Sequence, residues 1–92
     1  MRIDYDPAKN ERNIRERQIS FDLAAKFEFD RALVFVDDRK DYGEVRYIAL
    51  GPIEGRLHVM CFTETEDGIR VVSLRKANDR EVARHAKFKE AD

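Results

Sequence analysis

Histidine, cysteine and glycine are scarce in this 92-residue chain, and each shortage closes off a class of chemistry. The two histidines, His58 and His85, and the single cysteine, Cys61, have no spacing that would build a structural zinc site. One cysteine cannot close an internal disulfide. Its setting in the apolar run "HVMCF" reads as a small buried hydrophobe, not a nucleophile. Four glycines scattered at turns supply neither a P-loop nor a dinucleotide-binding turn. No apolar run approaches the length of a membrane span. The opening "MRIDYDPAKNE" lacks the apolar core of a secretory signal. A reducing cytoplasm is the expected location, with no membrane partner. No sign of charge dominates either: 18 Lys and Arg stand against 19 Asp and Glu, a net charge of −1. That balance argues against bulk nucleic-acid binding, which favours basic chains.

The charge is unevenly spread. From Ile69 to Lys89 seven cations face only Asp79 and Glu81. The stretch from Asp37 to Glu44 is acidic instead. The basic end is a candidate surface for phosphates or an acidic partner, and a solvated helix face would look the same.

The length fits one domain over residues 1–92. "RIDYDP" alternates like a short strand. Asp6 and Pro7 then open a helix, as cap and first residue, running to about Arg17. Its few apolar positions, Ala8 and Ile14, place it at the surface. Ser20 caps a second, more apolar helix. "ALVFVD", "EVRYIAL", "RLHVMCFTE" and "IRVVSLR" read as four strands, with "GPIEG" and "TEDG" as turns between them. Short connections favour antiparallel hairpins. Asn78 and Glu81 form a capping box opening a last helix, whose apolar side is Val82, Ala86 and Phe88. The expected fold is α+β: a small antiparallel sheet of about four strands plus a short N-terminal strand, two N-terminal helices and one C-terminal helix.

Period-two alternation sorts the sheet side chains. Arg46 and Ile48 share a face. Arg56, His58, Met60, Phe62 and Glu64 share another. Arg70, Val72, Leu74 and Lys76 oppose Val71, Ser73 and Arg75. Both faces are mixed, so a half-open sheet carrying Arg, His and Glu is the best candidate site. With metal and nucleotide motifs missing, two-carboxylate sugar chemistry stays open, though nothing singles out a pair among the 19 acids, and metal-free phosphodiester chemistry remains beside it. It needs cations for the phosphorane and groups to carry protons. Guanidinium forks match phosphate oxygens, and Glu64, His58 and His85 are available proton carriers.

The chain as a whole resembles the BrnT toxin family, the toxin half of a bacterial type II toxin–antitoxin pair. "DYDPAKNERN", "ISFDLA", "EVRYIALG" and "IRVVSLRKANDRE" match that family's segments in order. Two departures stand out: "ERQ" at Glu16 to Gln18 replaces a usual Lys-His-Gly, and His85 takes a position that is often Tyr. The resemblance implies a RelE-like fold and an endoribonuclease that cuts RNA and halts translation without a cofactor. It implies a BrnA-like antitoxin, through which alone DNA would be contacted, and is compatible with a toxin–antitoxin heterotetramer. Carried over by position, Arg46, Arg70 and Arg75 become the phosphate and transition-state cations. Glu64 and His85 are the acid–base candidates. Lys76, Arg56 and His58 are RNA-binding candidates. The alternative is a non-catalytic module of the same fold that docks an antitoxin or another acidic partner.

Overall fold

A computed structural model describes residues 1–91. The order is β1 (Arg2–Tyr5), α1 (Pro7–Arg17), two 3-10 segments (Phe21–Lys26 and Phe29–Arg31), β2 (Leu33–Val36), β3 (Tyr47–Ile53), β4 (Arg56–Glu64), β5 (Gly68–Lys76) and α2 (Asp79–Glu90). One five-stranded sheet runs β1-β5-β4-β3-β2. From β2 to β5 it is an antiparallel meander, as the short connections require. β1 joins it parallel to β5, so the sheet is mixed. No hairpin constrains that pair, because nearly the whole domain separates the two strands in sequence.

Local chemistry explains most boundaries. The Asp6 carboxylate accepts from the Ala8 amide, and Pro7 takes the first turn of α1. Asn78 and Glu81 form the reciprocal capping box of α2. Ser20 caps as expected, but the segment it opens is six residues of 3-10 helix, not an α-helix. "GPIEG" is not all turn. Gly51, Pro52 and Ile53 are buried strand, and only Glu54 and Gly55 turn. Both have positive φ, 50° and 80°, the signature of a tight two-residue hairpin. Gly51 stays without a side chain because Phe27 packs there: a Cβ would sit 2.6 Å from the ring.

The main core lies on one sheet face. Ala49, Met60, Phe62, Val71 and Leu74 meet Phe21, Ala24 and Phe27 from the 3-10 region. Burying these surfaces is the dominant stabilising term. α1 contributes almost nothing apolar to it. Ile14 is 43% exposed, and the buried residue of that helix is Asn13. Asn13 Nδ2 donates to the Ile19 and Leu74 carbonyls, at 2.9 and 2.8 Å. The expected apolar side of α2 is also in solvent, with Val82 and Phe88 exposed, while His85 is buried. No helix of the described residues is long and apolar enough to cross a membrane.

Candidate functional site

The opposite sheet face is only partly covered. Its floor is a smaller apolar cluster of Leu50, Val59 and Ala77, joined by Leu33, Phe35, Ile48 and Leu57. A bulge decides which charged residues surround it. Cys61 pairs with Ser73, but its neighbour Phe62 pairs with Val71, so Val72 is an extra residue in β5. Val71 and Leu74 are an odd number of residues apart, yet both are buried in the main core. Strict alternation would have set them on opposite faces. The same shift puts Arg70, opposite Thr63, on one face with Ser73 and Arg75, opposite Cys61 and Val59. Arg46 reaches this face too, two residues before Ile48, which pairs with Cys61. The alternation read from sequence separated Arg75 from Arg70; the bulge reunites them.

Each of these arginines meets a carboxylate. Glu44 bridges two of them: Oε1 accepts from Arg70 Nη2 at 2.8 Å and Oε2 from Arg46 Nε at 3.3 Å. Arg46 also lies over the Tyr42 ring, 4.1 Å from its centre. Arg75 and Glu81 pair fork to fork, at 2.8 and 2.9 Å. This bond holds the Glu81 carboxyl below its ordinary pKa and raises that of Arg75. Glu81 also accepts from the Asn78 amide, so the capping box fixes where Arg75 points. The loop before β3 is anchored by Asp37, whose buried carboxylate takes Arg39 Nε and Nη2, both at 2.8 Å, and the Tyr42 hydroxyl at 3.0 Å. The Arg39 bonds hold Asp37 well below the usual carboxylate range.

The remaining candidates lie elsewhere. Glu64 alternates onto the core side, where hydrogen bonding to it raises the Tyr47 phenol pKa. His58 is buried with its Nδ1–H donated to the Arg56 carbonyl at 2.7 Å. His85 is buried with its Nε2–H donated to the Arg31 carbonyl at 2.8 Å. Both imidazoles are committed to backbone. Arg56 donates to the Ala77 carbonyl, and Lys76 projects into solvent beside it. Cys61 belongs to the open face, but burial pushes its thiol pKa up, which disfavours a thiolate nucleophile. Among the described residues, no three His, Cys, Asp or Glu side chains cluster as metal ligands would.

Sequence reasoning missed Glu44, Arg39, Arg17 and Arg84. For Glu44 a signal existed: it lies two residues before Arg46, a spacing that puts side chains on one side of extended chain. The other three come from separate elements, and only the fold brings them to the face.

A half-open sheet face bearing arginine forks is a surface for anions such as phosphates. Residues 5–81 match the family model described as the ribonuclease toxin, BrnT, of type II toxin–antitoxin systems. The protein is thus a ribonuclease toxin by class, of the kind that is paired with an antitoxin. Within that class it belongs to the BrnT family. The fold is similar to the crystal structure of the Brucella abortus ribonuclease toxin BrnT, with a TM-score of 0.68 and 24% identity. That match covers 86% of this chain and 99% of the other. No curated protein sequence matches the chain.

Proposed function

We propose that the protein is a metal-independent endoribonuclease that halts translation in the cytoplasm by cutting RNA, and that a BrnA-like antitoxin neutralises it. One observation carries this reading: the Val72 bulge gathers Arg46, Arg70 and Arg75 on a single open face. In-line attack by a ribose 2′-hydroxyl on its own 3′-phosphate forms a 2′,3′-cyclic phosphate as the bond to the 5′-oxygen breaks, the 2′-hydroxyl giving up a proton and the leaving 5′-oxygen taking one, and negative charge builds on the phosphoryl oxygens on the way. Guanidinium groups already fixed at that place stabilise the charge without reorganising. Arg46 and Arg70 are held in position by Glu44, and Arg75 by Glu81. An RNA phosphate offers these donors the same kind of acceptor as the carboxylates do. Proton transfer falls to carboxylates of this face. Glu44 is the one set between two of the cations. Glu64 and the two histidines are turned away from them or tied to backbone.

The test is inducible expression of the chain alone in bacteria, following growth and total RNA together. Wild type should arrest growth and degrade RNA. Arg46→Ala and Arg70→Ala should relieve both while circular dichroism still reports a folded domain. Full toxicity in Arg46→Ala, Arg70→Ala and Arg75→Ala alike would show the site to be wrong. Normal growth and intact RNA with folded wild-type protein would leave a binding module in place of an enzyme.

A further inference from the structure

Beside the Glu44 clamp, the open face sinks into a cavity of about 400 Å³. That volume suits a small ligand rather than a single ion. Its floor is apolar, made of Phe35, Ile48, Leu50, Val59 and Cys61 from three neighbouring strands. Its rim is cationic and built from four separate parts of the chain: Arg17 from the end of α1, Arg39 from the loop after β2, Arg75 from β5 and Arg84 from α2. The single carboxylate lining it, Glu81, is spent on Arg75. Arg84 makes no ion pair within 4.0 Å among the described residues, and its guanidinium lies 4.3 Å over the Phe35 ring.

A bare phosphate would use the rim and waste the floor. An acidic side chain would do the same. A nucleotide uses both, with its base on the apolar floor against an aromatic ring and a guanidinium, and its phosphates on arginine forks. We infer that this cavity is a nucleobase subsite that seats one unpaired base of single-stranded RNA on its apolar floor, with the Arg84–Phe35 stack as its side wall and Arg17 on the flanking phosphate. The inference rests on the RNA-cutting reading above and adds where the substrate's base goes. The placement is consistent with that chemistry. Cys61 lies on the floor, and Thr63, two residues along the same strand, faces Arg70 of the clamp. That is about 7 Å of strand. A base in the cavity therefore sits next to the phosphate held by Arg46 and Arg70. It also makes cleavage selective for accessible loops and single strands, because a base inside a helix cannot enter.

The experiment is fluorescence anisotropy of the full chain with a dye-labelled, 2′-O-methyl single-stranded oligonucleotide, which cannot be cleaved. A second oligonucleotide carries one abasic position, stepped along its length, and an oligo-glutamate peptide serves as a third probe. The abasic oligonucleotide should bind roughly tenfold more weakly at one register, and Phe35→Leu and Arg84→Ala should each weaken the intact oligonucleotide by a similar factor. Both variants should abolish the difference between intact and abasic probes. Their folding is checked by thermal melting, and Arg84→Ala, at an exposed helix position, keeps the test usable if Phe35→Leu unfolds. If Arg46→Ala and Arg70→Ala weaken binding but the abasic and Arg84→Ala effects are absent, the subsite is refuted and the ribonuclease reading stands. If no arginine variant alters binding, both fail. If oligo-glutamate binds in an Arg84-dependent way and the oligonucleotide does not, the cavity serves an acidic peptide and the nucleobase assignment is overturned.

Discussion

Replacing Asn13 with alanine should be among the most damaging single changes outside the hydrophobic core. β1 pairs with β5 only as far as Val71, so Leu74 has no β1 residue opposite it. Asn13 takes that place and donates to the Leu74 carbonyl at 2.8 Å and to the Ile19 carbonyl at 2.9 Å. Its own Oδ1 accepts from Arg17 Nη1 at 3.2 Å. Because Ile14 is exposed, these bonds, and not apolar contact, hold α1 on the sheet. Asn13→Ala leaves two buried carbonyls without a donor, each worth ~1–3 kcal/mol. A shallow cleft beside Asn13 admits water and returns part of that, so a net loss of about 2–4 kcal/mol is expected. In a domain of this size it corresponds to a fall in Tm of roughly 10–25 °C. Asn13→Asp keeps the shape but aims a carboxylate at two carbonyl oxygens. It should be worse than alanine at neutral pH and partly recover in acid, where the protonated carboxyl can donate once. Urea and thermal denaturation followed by circular dichroism measure both. A loss below about 0.5 kcal/mol for Asn13→Ala, the range of ordinary surface changes, would refute this account of how α1 is held.

Other substitutions test separate links. Gly51→Ala pushes a methyl to 2.6 Å from the Phe27 ring and 2.9 Å from Ala32 Cβ, and overpacking should cost ~1–3 kcal/mol in chemical denaturation. Gln18 ends α1 at φ 57°, the left-handed region. Gln18→Gly should therefore raise stability by about 0.5–1 kcal/mol, and an unchanged or lower Tm would contradict the strain argument. The folded Asp37 carboxyl lies well below its unfolded pKa, so its contribution is complete above the ordinary carboxylate range and drains away as pH falls. Asp37→Asn should lower stability at pH 7 and flatten its decline between about pH 4 and 2; a slope equal to wild type would count against the Arg39 pairing.

Elements whose signals are local were legible in the sequence. Asp6-Pro7 and Asn78 with Glu81 announced two helix starts, and turn residues with alternating strands announced the meander. What escaped depends on distant partners. Gly51 and Pro52 look like turn residues, yet the strand continues through them because Phe27, far back in the chain, fills the space of the missing side chain. The first helix was legible as a surface helix and the last suggested a buried apolar stripe, whereas hydrogen bonds from Asn13 and His85 do the anchoring. For the candidate site, Arg46, Arg70 and Arg75 could be named from the sequence, but alternation put Arg75 on the face away from the other two. A bulge is a property of the pairing between two strands, and "RVVSLR" alone carries no mark of which valine is extra.

The carboxylates set against the open-face arginines have a consequence for how the protein meets its target. Arg46 and Arg70 share Glu44, Arg75 has Glu81 and Arg39 has Asp37, so three carboxylates offset three of these four charges, and Arg17 and Arg84 are the arginines of this face without such a partner among the described residues. A polyanion approaching from a distance feels less attraction than six bare guanidinium groups would exert, and salt screens the remainder beyond a Debye length. When RNA docks as proposed, its phosphate exchanges with Glu44 instead of entering a vacant positive site, and fewer counterions are released per arginine contacted. The dependence of affinity on salt should then be shallower than the number of arginine–phosphate contacts would give for a bare cationic surface. Such a toxin is drawn less strongly to the bulk of cellular nucleic acid at long range and depends more on fit at contact.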